Sequence, residues 1–365
     1  MANTYVYVSN AEDGDISTYR LDPARAELQP LARTPAAQLV MPLCFDPVTN
    51  TLHAAVRRAP FAILSYRVDP STGALTPLAQ TSVSNSFVNL RIDASARWLL
   101  AASYGANLVS TYALDAQGLP QQQPACTVDI GPMPHATVVD HDNAHVLVPA
   151  LGDDRVHALR FDADSGQLSA EPAYTLATAP GSGPRHAVLS ANGRFLYVLN
   201  ELLGTVLVFE RVVEANGAQA LRFVERQCVP SIPADTGMVP GRARPPSGVT
   251  LAAHDMHAPD SIYCADIQMR PDGRFLYTSE RTRGLLSRFS VDAANGRIEH
   301  LDTIATLESP RSFAIDPTGR FMVVAGQNTP RVALYGIDHE SGALRLLHDA
   351  PGGRDANWVT IAHFE

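Results

Sequence analysis

The sequence predicts an all-β fold, a seven-bladed β-propeller with four-stranded antiparallel blades. The first observation is a repeat: Asp46, Asp93 and Asp140 stand 47 residues apart, and Gly273 and Gly319 stand 46 apart. The second is that each copy contains short apolar segments of strand-forming residues. The third is that glycine-containing turns separate these segments. A period of this length with four short strands per copy is typical of propeller blades.

One copy shows the pattern clearly. The stretch 190–211 begins with a turn at Asn192 and Gly193, continues as a strand rich in aromatic and branched residues, and reaches a loop at Asn200 and Glu201. A second apolar strand follows that loop. Glycine after asparagine suits a tight turn, and the apolar residues suit a buried pleated surface.

The other copies follow the same layout in chain order. The predicted strand pairs are 5–8 with 16–20, 52–56 with 63–68, 98–102 with 108–114, and 145–149 with 156–161. Two further copies begin at Pro-x-Gly-Arg-Phe turns, 271–275 and 317–321, and several copies also share an Asp-x-x-x-Gly-x-Leu turn. The last strand, 358–362, is predicted to join the amino-terminal strands in one blade and so close the ring. Closure removes the exposed sheet edges that invite aggregation.

The domain prediction is a single β-propeller over residues 1–365 with one insertion at about 228–262. Gly193 and Gly273 are 80 residues apart, so this unit is longer than the others. The extra residues are rich in proline and glycine, which disfavours regular secondary structure. A long loop on one face of a propeller is a candidate lid.

Composition excludes several classes of protein and partner. Hydrophobic residues make up 45% and charged residues 18%, which suits a large core and not a disordered chain or a coiled coil. The net charge is −9 without runs of lysine and arginine, so neither nucleic acid nor a membrane surface is an expected partner. No signal peptide and no membrane-spanning apolar run is visible, which predicts a cytoplasmic protein. Oligomeric state cannot be read from the sequence.

No cofactor or metal is expected. The four cysteines are far apart and form no Cys-x-x-Cys pair, so we interpret them as reduced thiols. No phosphate-binding loop, dinucleotide fingerprint, nucleophile elbow or zinc motif is present. His254 and His257 have metal-like spacing with Asp255 and Asp260, but a proline-rich loop is a poor place for a metal site.

Polar residues recur at the loops that should meet at one end of the central channel. We place these loops between the first and second strands of each blade, and they carry Arg57, Tyr104, Asp153 and Asp154, Asn200 and Glu201, Glu280 and Arg281, and Gln327 and Asn328. The segments leading into the first strands carry His135, Arg185 and His186, Asp266, Arg311 and Asn357. A channel end lined by arginines, a histidine and one or two carboxylates would bind an anion and could perform acid–base chemistry. Each residue alone could equally be structural, as a turn or packing residue.

At these residues the chain resembles a known family, the seven-bladed propeller lactonases, which includes the bacterial propeller-type 6-phosphogluconolactonase and, more distantly, the carboxymuconate cycloisomerase. The similarity extends over nearly the whole chain. It is clearest at Val-Pro-Ala-Leu 148–151, Gly-Pro-Arg-His 183–186, Val-Leu-Asn-Glu 198–201, Ala-Asp-Ile 265–267, Arg-Thr 281–282, Pro-Arg-Ser-Phe 310–313 and Ala-Gly-Gln 325–327. In that family the proposed working residues match His135, Arg185, Glu201 and Arg281.

The resemblance implies hydrolysis of a small anionic sugar lactone. Glu201 or His135 would be the general base, and Arg185 and Arg281 would stabilise the oxyanion. Arg57 and Arg311 would hold a distal anionic group, since arginine binds phosphate and carboxylate bidentately. The remaining candidate substrate-binding residues are Tyr104, Asn200, Asp266 and Gln327.

Three alternatives stay open beside a 6-phosphogluconolactonase. The first is a lactonase for aldaric or uronic lactones, with a carboxylate in place of the phosphate, because the insertion departs from the phosphogluconolactonase pattern. The second is a muconate-type cycloisomerase using the same acid–base set. The third is a non-catalytic propeller that binds a protein partner, a class that tends to expose apolar residues on one face.

Overall fold

The computed structural model describes residues 3–212, 221–245 and 259–365, which form seven antiparallel sheets arranged as the blades of a propeller. Strands are numbered in chain order, and the first strand of each blade is given first. Blade 1 contains β4 (Val40–Asp46), β5 (Thr51–Val56), β6 (Ala62–Val68) and β7 (Leu75–Ser82). Blade 2 contains β8 (Asn89–Ile92), β9 (Trp98–Ser103), β10 (Leu108–Ala113) and β11 (Cys126–Asp129). Blade 3 contains β12 (Val138–Val139), β13 (His145–Ala150), β14 (Arg155–Asp162), β15 (Gln167–Leu168) and β16 (Tyr174–Ala177).

The remaining blades follow the same order. Blade 4 contains β17 (Pro184–Leu189), β18 (Phe195–Asn200), β19 (Thr205–Val212) and β20 (Arg222–Pro230). Blade 5 contains β21 (Cys264–Met269), β22 (Phe275–Glu280), β23 (Leu285–Val291) and β24 (Ile298–Ala305). Blade 6 contains β25 (Pro310–Ile315), β26 (Phe321–Gly326), β27 (Arg331–Ile337) and β28 (Leu344–Pro351). Blade 7 contains β29 (Ala356–Phe364), β1 (Asn3–Asn10), β2 (Asp15–Asp22) and β3 (Glu27–Pro35).

The fold prediction is confirmed, including the closure of the ring. In blade 7 the carboxyl-terminal strand β29 pairs antiparallel with β1, with Tyr5 opposite Ala362. Six sheets have four strands; in blade 3 a fifth appears because β15 and β16 both pair with β14. The first strands of neighbouring blades contact one another: β17 contacts β21, and β29 contacts β4. The first strands therefore surround the central axis.

The core lies between blades. One buried cluster joins Tyr5 and Tyr7 of blade 7 to Leu52 and Leu64 of blade 1, and corresponding clusters fill the other blade interfaces. Burial of this apolar surface is the main term that holds the ring together.

The repeated aspartates that set the period cap the turn between the first and second strands. Asp140 accepts hydrogen bonds through Oδ1 from the backbone N–H groups of Ala144 and His145, at 2.8 and 2.9 Å. Asp93 and Asp316 bond the residues four and five positions later in the same way. A carboxylate that satisfies two backbone N–H groups is favoured at this position, and these three blades have one there.

One expectation about loop position is corrected. The loops carrying Arg57, Tyr104 and Glu201 join the second and third strands of their blades, not the first and second. Several residues placed before the first strand lie in it, as Arg185 does in β17 and Arg311 in β25. The strands that the sequence predicts most clearly are therefore the apolar second and third strands. The first strand of each blade, which lies nearest the axis, contains polar residues and is harder to recognise.

The insertion follows β20 and contains a short 3₁₀ helix, Ala234–Thr236. Its described part lies against the cavity end of blade 4, where Gly241 N–H bonds Leu202 O, and is braced internally by the bonds of Val239 N–H to Asp260 O and of Ile262 N–H to Val239 O. His254, Asp255 and His257 lie outside the described residues. Within the described ranges, no helix is long and apolar enough to cross a membrane.

Candidate functional site

A cavity of about 200 Å³ lies at the end of the channel where the loops between second and third strands meet. Its lining comes from six blades and the insertion: Arg57, Val88, Tyr104, His135, Glu201, Arg244, Pro245, Arg281 and Arg311. Drug-sized ligands occupy pockets of roughly 300–1,000 Å³, so this smaller space suits a molecule of monosaccharide size.

The blade repeat explains why residues so distant in sequence converge here. Arg57, Tyr104, Glu201 and Arg281 each directly follow the second strand of their blade. The antiparallel register brings the last residue of the second strand beside the start of the first strand, as Asn200 pairs with Pro184. Loop residues and first-strand residues of each blade therefore reach the same end of the channel.

Glu201 is a buried carboxylate held by two arginines. Arg281 Nη2 donates to Oε1 at 2.6 Å, and Arg185 Nε lies 2.8 Å from Oε2 without hydrogen-bond alignment. Burial alone would raise the pKa of Glu201, but the guanidinium groups of Arg281 and Arg185 outweigh it and lower that pKa. Glu201 is therefore ionised at neutral pH.

Arg185 lies beneath the cavity, where the carbonyl of Ala265 and the ring of His186 contact it, and Asp266 in turn contacts His186. Arg185 Nη1 donates to the carbonyl of Ala265 and lies 3.1 Å from His186 Nε2. His186 Nδ1 lies 2.9 Å from Asp266 Oδ1. Since arginine only donates, His186 must accept through Nε2 and carry its proton on Nδ1. Burial lowers the pKa of His186 to about 4, consistent with this neutral form.

His135 contributes a neutral imidazole to the cavity wall. Its ring centroid is 5.8 Å from that of Tyr104 and 5.2 Å from that of His186. Its Nδ1 is buried, with no hydrogen-bond partner among the described residues. Burial and the nearby charge of Arg185 hold the pKa of His135 well below its usual value, so the ring is uncharged at neutral pH.

Positive charge in the cavity exceeds negative charge. Four arginines and one glutamate line it, and that glutamate is already paired with Arg281. Within residues 3–212, 221–245 and 259–365, no carboxylate forms an ion pair with Arg57, Arg244 or Arg311. Burial and the charge of Arg185 hold the pKa of Arg311 well below its usual value. The uncompensated arginines make the cavity a receptor for an anion.

The cavity brings together six of the ten candidate residues: His135, Glu201, Arg281, Arg57, Tyr104 and Arg311. Arg185 supports Glu201 from beneath, and Asp266 lines a deeper space of about 90 Å³ with His186 and Trp358.

Two candidate residues lie elsewhere. The Nδ2 group of Asn200 is bonded to Thr205 Oγ1 at 2.9 Å, within its own hairpin. Gln327 lies in a separate groove between blades and donates to Asp355 Oδ1 at 2.7 Å. Both follow the same sequence pattern as the lining residues, because the repeat predicts which end of the blade a residue occupies and not where its side chain points.

Sequence reasoning missed Arg244, Pro245 and Val88. Val88 precedes β8 as an ordinary apolar residue and carries no distinguishing signal. Arg244 belongs to the run Gly-Arg-Ala-Arg-Pro-Pro 241–246, where alternating arginines between glycine and prolines hint at an extended segment. The pattern alone does not distinguish the arginine that faces the cavity from the one that faces solvent.

The described residues contain no cluster of three or more histidine, cysteine, aspartate and glutamate side chains placed to hold a metal ion. In the cavity lining, the one carboxylate is that of Glu201, and it is paired with Arg185 and Arg281.

Comparison with known proteins agrees with this fold along the whole chain. A family model described as "Lactonase, 7-bladed beta-propeller" matches residues 5–361. A 6-phosphogluconolactonase from Serratia proteamaculans is 32% identical over 359 residues, covering 98% of both chains. One from Yersinia pestis is 31% identical over 357 residues, covering 98% of this chain and 97% of the other.

Solved structures share the architecture at lower identity. A putative 6-phosphogluconolactonase from Bacteroides fragilis superposes with a TM-score of 0.81 at 22% identity, covering 99% of this chain and 98% of the other. A periplasmic gluconolactonase from Pseudomonas aeruginosa gives 0.80 at 24%, covering 100% and 99%. These two similarities show the shared fold.

Proposed function

Because the chain belongs to the family of seven-bladed β-propeller lactonases, and is thus a lactonase, we propose that it hydrolyses an anionic sugar lactone, with 6-phosphogluconolactone as the favoured substrate. The observation that carries the proposal is the cavity of about 200 Å³, where three arginines without an ion-pair partner among the described residues lie beside a neutral histidine. The two relatives at 31–32% identity named 6-phosphogluconolactonase support the choice of substrate.

The reaction requires a base, an oxyanion site and a proton donor for the leaving alkoxide. We assign the base to His135, because its imidazole is neutral and lines the cavity. Glu201 is the poorer base, since two guanidinium groups stabilise its charged form. The lactone carbonyl carbon accepts the water oxygen while His135 takes a water proton.

We assign stabilisation of the resulting oxyanion to Arg281, because it lines the cavity and its guanidinium is bonded to Glu201. Collapse of the tetrahedral intermediate breaks the bond to the ring oxygen, which takes the proton back from His135. The products are a hydroxyl group and a carboxylic acid, which ionises at neutral pH and releases one proton per turnover.

The unpaired arginines bind the distal charge of the substrate. Arg57 enters from blade 1 and Arg311 from blade 6, and neither has an ion-pair partner among the described residues. A phosphate or carboxylate between them would compensate the positive charge and hold the lactone ring in one register. Arg185 acts from beneath by holding Glu201.

The experiment is proton release from freshly prepared lactones, with the spontaneous hydrolysis rate subtracted. The panel contains 6-phosphogluconolactone, glucaro- and galactarolactone, neutral gluconolactone and muconolactone. We expect kcat/KM for 6-phosphogluconolactone to exceed that for gluconolactone by about 100-fold, the value of one buried charge pair worth about 3 kcal/mol.

Other outcomes identify the alternatives. A preference for glucaro- or galactarolactone would assign the carboxylate-bearing substrates. Conversion of muconolactone to a ring-opened product of unchanged mass would indicate the isomerase, because elimination adds no water whereas hydrolysis does. Absence of any conversion above the spontaneous rate would contradict the proposal.

A further inference from the structure

We propose that Arg244, carried by the insertion between blades 4 and 5, completes the site for the phosphate of the substrate and sets the preference for phosphorylated over neutral lactones. The inference rests on the proposed function above. It concerns a residue that lies outside the blade repeat, on a segment absent from the other blades.

Neighbouring elements fix the backbone around Arg244. Gly241 N–H donates to Leu202 O at 2.8 Å, in the loop that follows Glu201. The Tyr263 hydroxyl donates to Arg242 O at 3.1 Å, and the Tyr104 hydroxyl donates to the carbonyl of Arg244 itself. Two of these anchors, Tyr104 and Leu202, come from loops that form the cavity end of the ring. The segment is therefore held against the site by specific bonds.

The side chain of Arg244 is directed into the cavity. Its guanidinium carbon lies 4.6 Å from the centroid of the Tyr263 ring, and the residue lines the cavity with Pro245. Stacking on an aromatic face leaves the N–H groups at the edge of the guanidinium free to bond a ligand. Nε of Arg244 is buried without a hydrogen-bond partner in the described part of the chain. A buried N–H group without an acceptor destabilises the folded protein, and a bound ligand could supply the missing acceptor.

Arg57 and Arg311 face the same cavity from blades 1 and 6, so three guanidinium groups surround one space, and none of them has a carboxylate partner in the part of the chain that the structure describes. Burial and the nearby charge of Arg281 lower the pKa of Arg244, and the charge of Glu201 opposes this shift only in part. A phosphate ester supplies two negative charges and three acceptor oxygens, enough to engage three arginines. A monoanionic carboxylate supplies one charge and two oxygens.

The test is calorimetric binding of 6-phosphogluconate and of gluconate to the wild type, Arg244→Gln and Arg244→Lys. Arg242→Gln is the matched control. Arg242 is exposed and lies two residues before Arg244, so this variant removes the same charge from the same segment but not from the cavity. We expect Arg244→Gln to weaken 6-phosphogluconate binding 30- to 300-fold and to change gluconate binding less than threefold. Arg244→Lys should recover part of the loss, and Arg242→Gln should bind both ligands as the wild type does.

The results separate the two proposals. Wild-type binding of 6-phosphogluconate no tighter than gluconate would overturn the substrate class and the inference together. A wild type that prefers 6-phosphogluconate, with an Arg244→Gln variant that keeps this preference, would overturn the role of Arg244 alone. Equal weakening of both ligands in Arg244→Gln would also overturn it, because that result indicates a general disturbance of the site.

Discussion

Ionisation of Glu201 depends on its two guanidinium partners, and this dependence decides the division of roles in the site. A carboxylate stabilised by Arg281 and Arg185 has little tendency to accept a proton. Burial and the charge of Arg185 also lower the pKa of His135, but among the described residues no cation is bonded to its ring and its Nδ1 has no hydrogen-bond partner. When an anion fills the cavity and compensates the arginines, the pKa of His135 should rise toward the range where a general base is effective.

The first prediction concerns this division. His135→Gln should lower kcat by about 100- to 10,000-fold, the range typical of a lost general base. Glu201→Gln should raise KM more than it lowers kcat, because Arg281 loses its partner and its orientation. Initial rates of proton release with 6-phosphogluconolactone measure both effects.

The control is His141→Gln, an exposed histidine on the opposite end of blade 3, which should retain wild-type rates. A His135→Gln variant with kcat within threefold of the wild type would refute the assignment of the base. Loss of kcat in Glu201→Gln alone, with an unchanged KM, would make the glutamate the base.

The sequence predicted the location of a residue correctly where its place in the repeat determines which end of the channel it occupies. Arg57, Tyr104 and Glu201 were expected at one channel end and lie there, because each follows a second strand. Side-chain direction did not follow from the repeat, so Gln327 was expected in the same site and lies in another groove. Their catalytic and binding roles remain predictions.

At the scale of the element, the Asp-x-x-x-Gly turn between third and fourth strands is a contact between blades. The Tyr197 hydroxyl of blade 4 donates to Gly296 O of blade 5 at 3.0 Å, and Tyr7 and Tyr277 make the same bond to Gly73 and Gly342. An aromatic ring of the neighbouring blade packs on each of these glycines. The repeated glycine is therefore explained by packing between blades as well as by turn geometry.

The second prediction tests this contact. Gly296 has a φ of 70°, and a Cβ there would overlap the ring of Phe195. Gly296→Ala should lower the free energy of unfolding by about 2–5 kcal/mol, the sum of left-handed backbone strain and overpacking. Denaturant titration measures it.

Gly273→Ala is the matched control. Gly273 has a φ of 73°, but no atom lies within 4 Å of the position its Cβ would take. Gly273→Ala should therefore lower the free energy of unfolding by about 1–2 kcal/mol, from left-handed backbone strain alone. Equal losses in the two variants would show that the contact with Phe195 contributes nothing.

Element boundaries also show what the sequence conceals. The second and third strands are the most apolar, as in β18 and β19, and the sequence identifies them directly. The first strands carry buried polar residues, such as Arg185 in β17 and Asp266 in β21, which hide their strand character. The insertion was predicted at about 228–262 from its length and composition, but the contact of Arg244 and Pro245 with the cavity was not readable from either.

At the scale of the molecule, closure of the ring is what makes the site possible. The pairing of β29 with β1 joins the two ends of the chain, so that six blades and the insertion present residues to one cavity. Neither a single blade nor a pair of blades contains the histidine, the carboxylate and the arginines together. Period counting predicted this architecture because every blade repeats one hydrogen-bonded plan.

The most direct test of the central claim is a crystal structure of the protein with 6-phosphogluconate, the product of the proposed reaction. We predict that its phosphate lies at hydrogen-bond distance, about 3 Å, from the guanidinium groups of Arg244 and of Arg57 or Arg311. Its carboxylate should lie beside His135 and Arg281. A ligand bound instead in the groove of Gln327 and Asp355, or a cavity left empty at saturating ligand, would contradict the account.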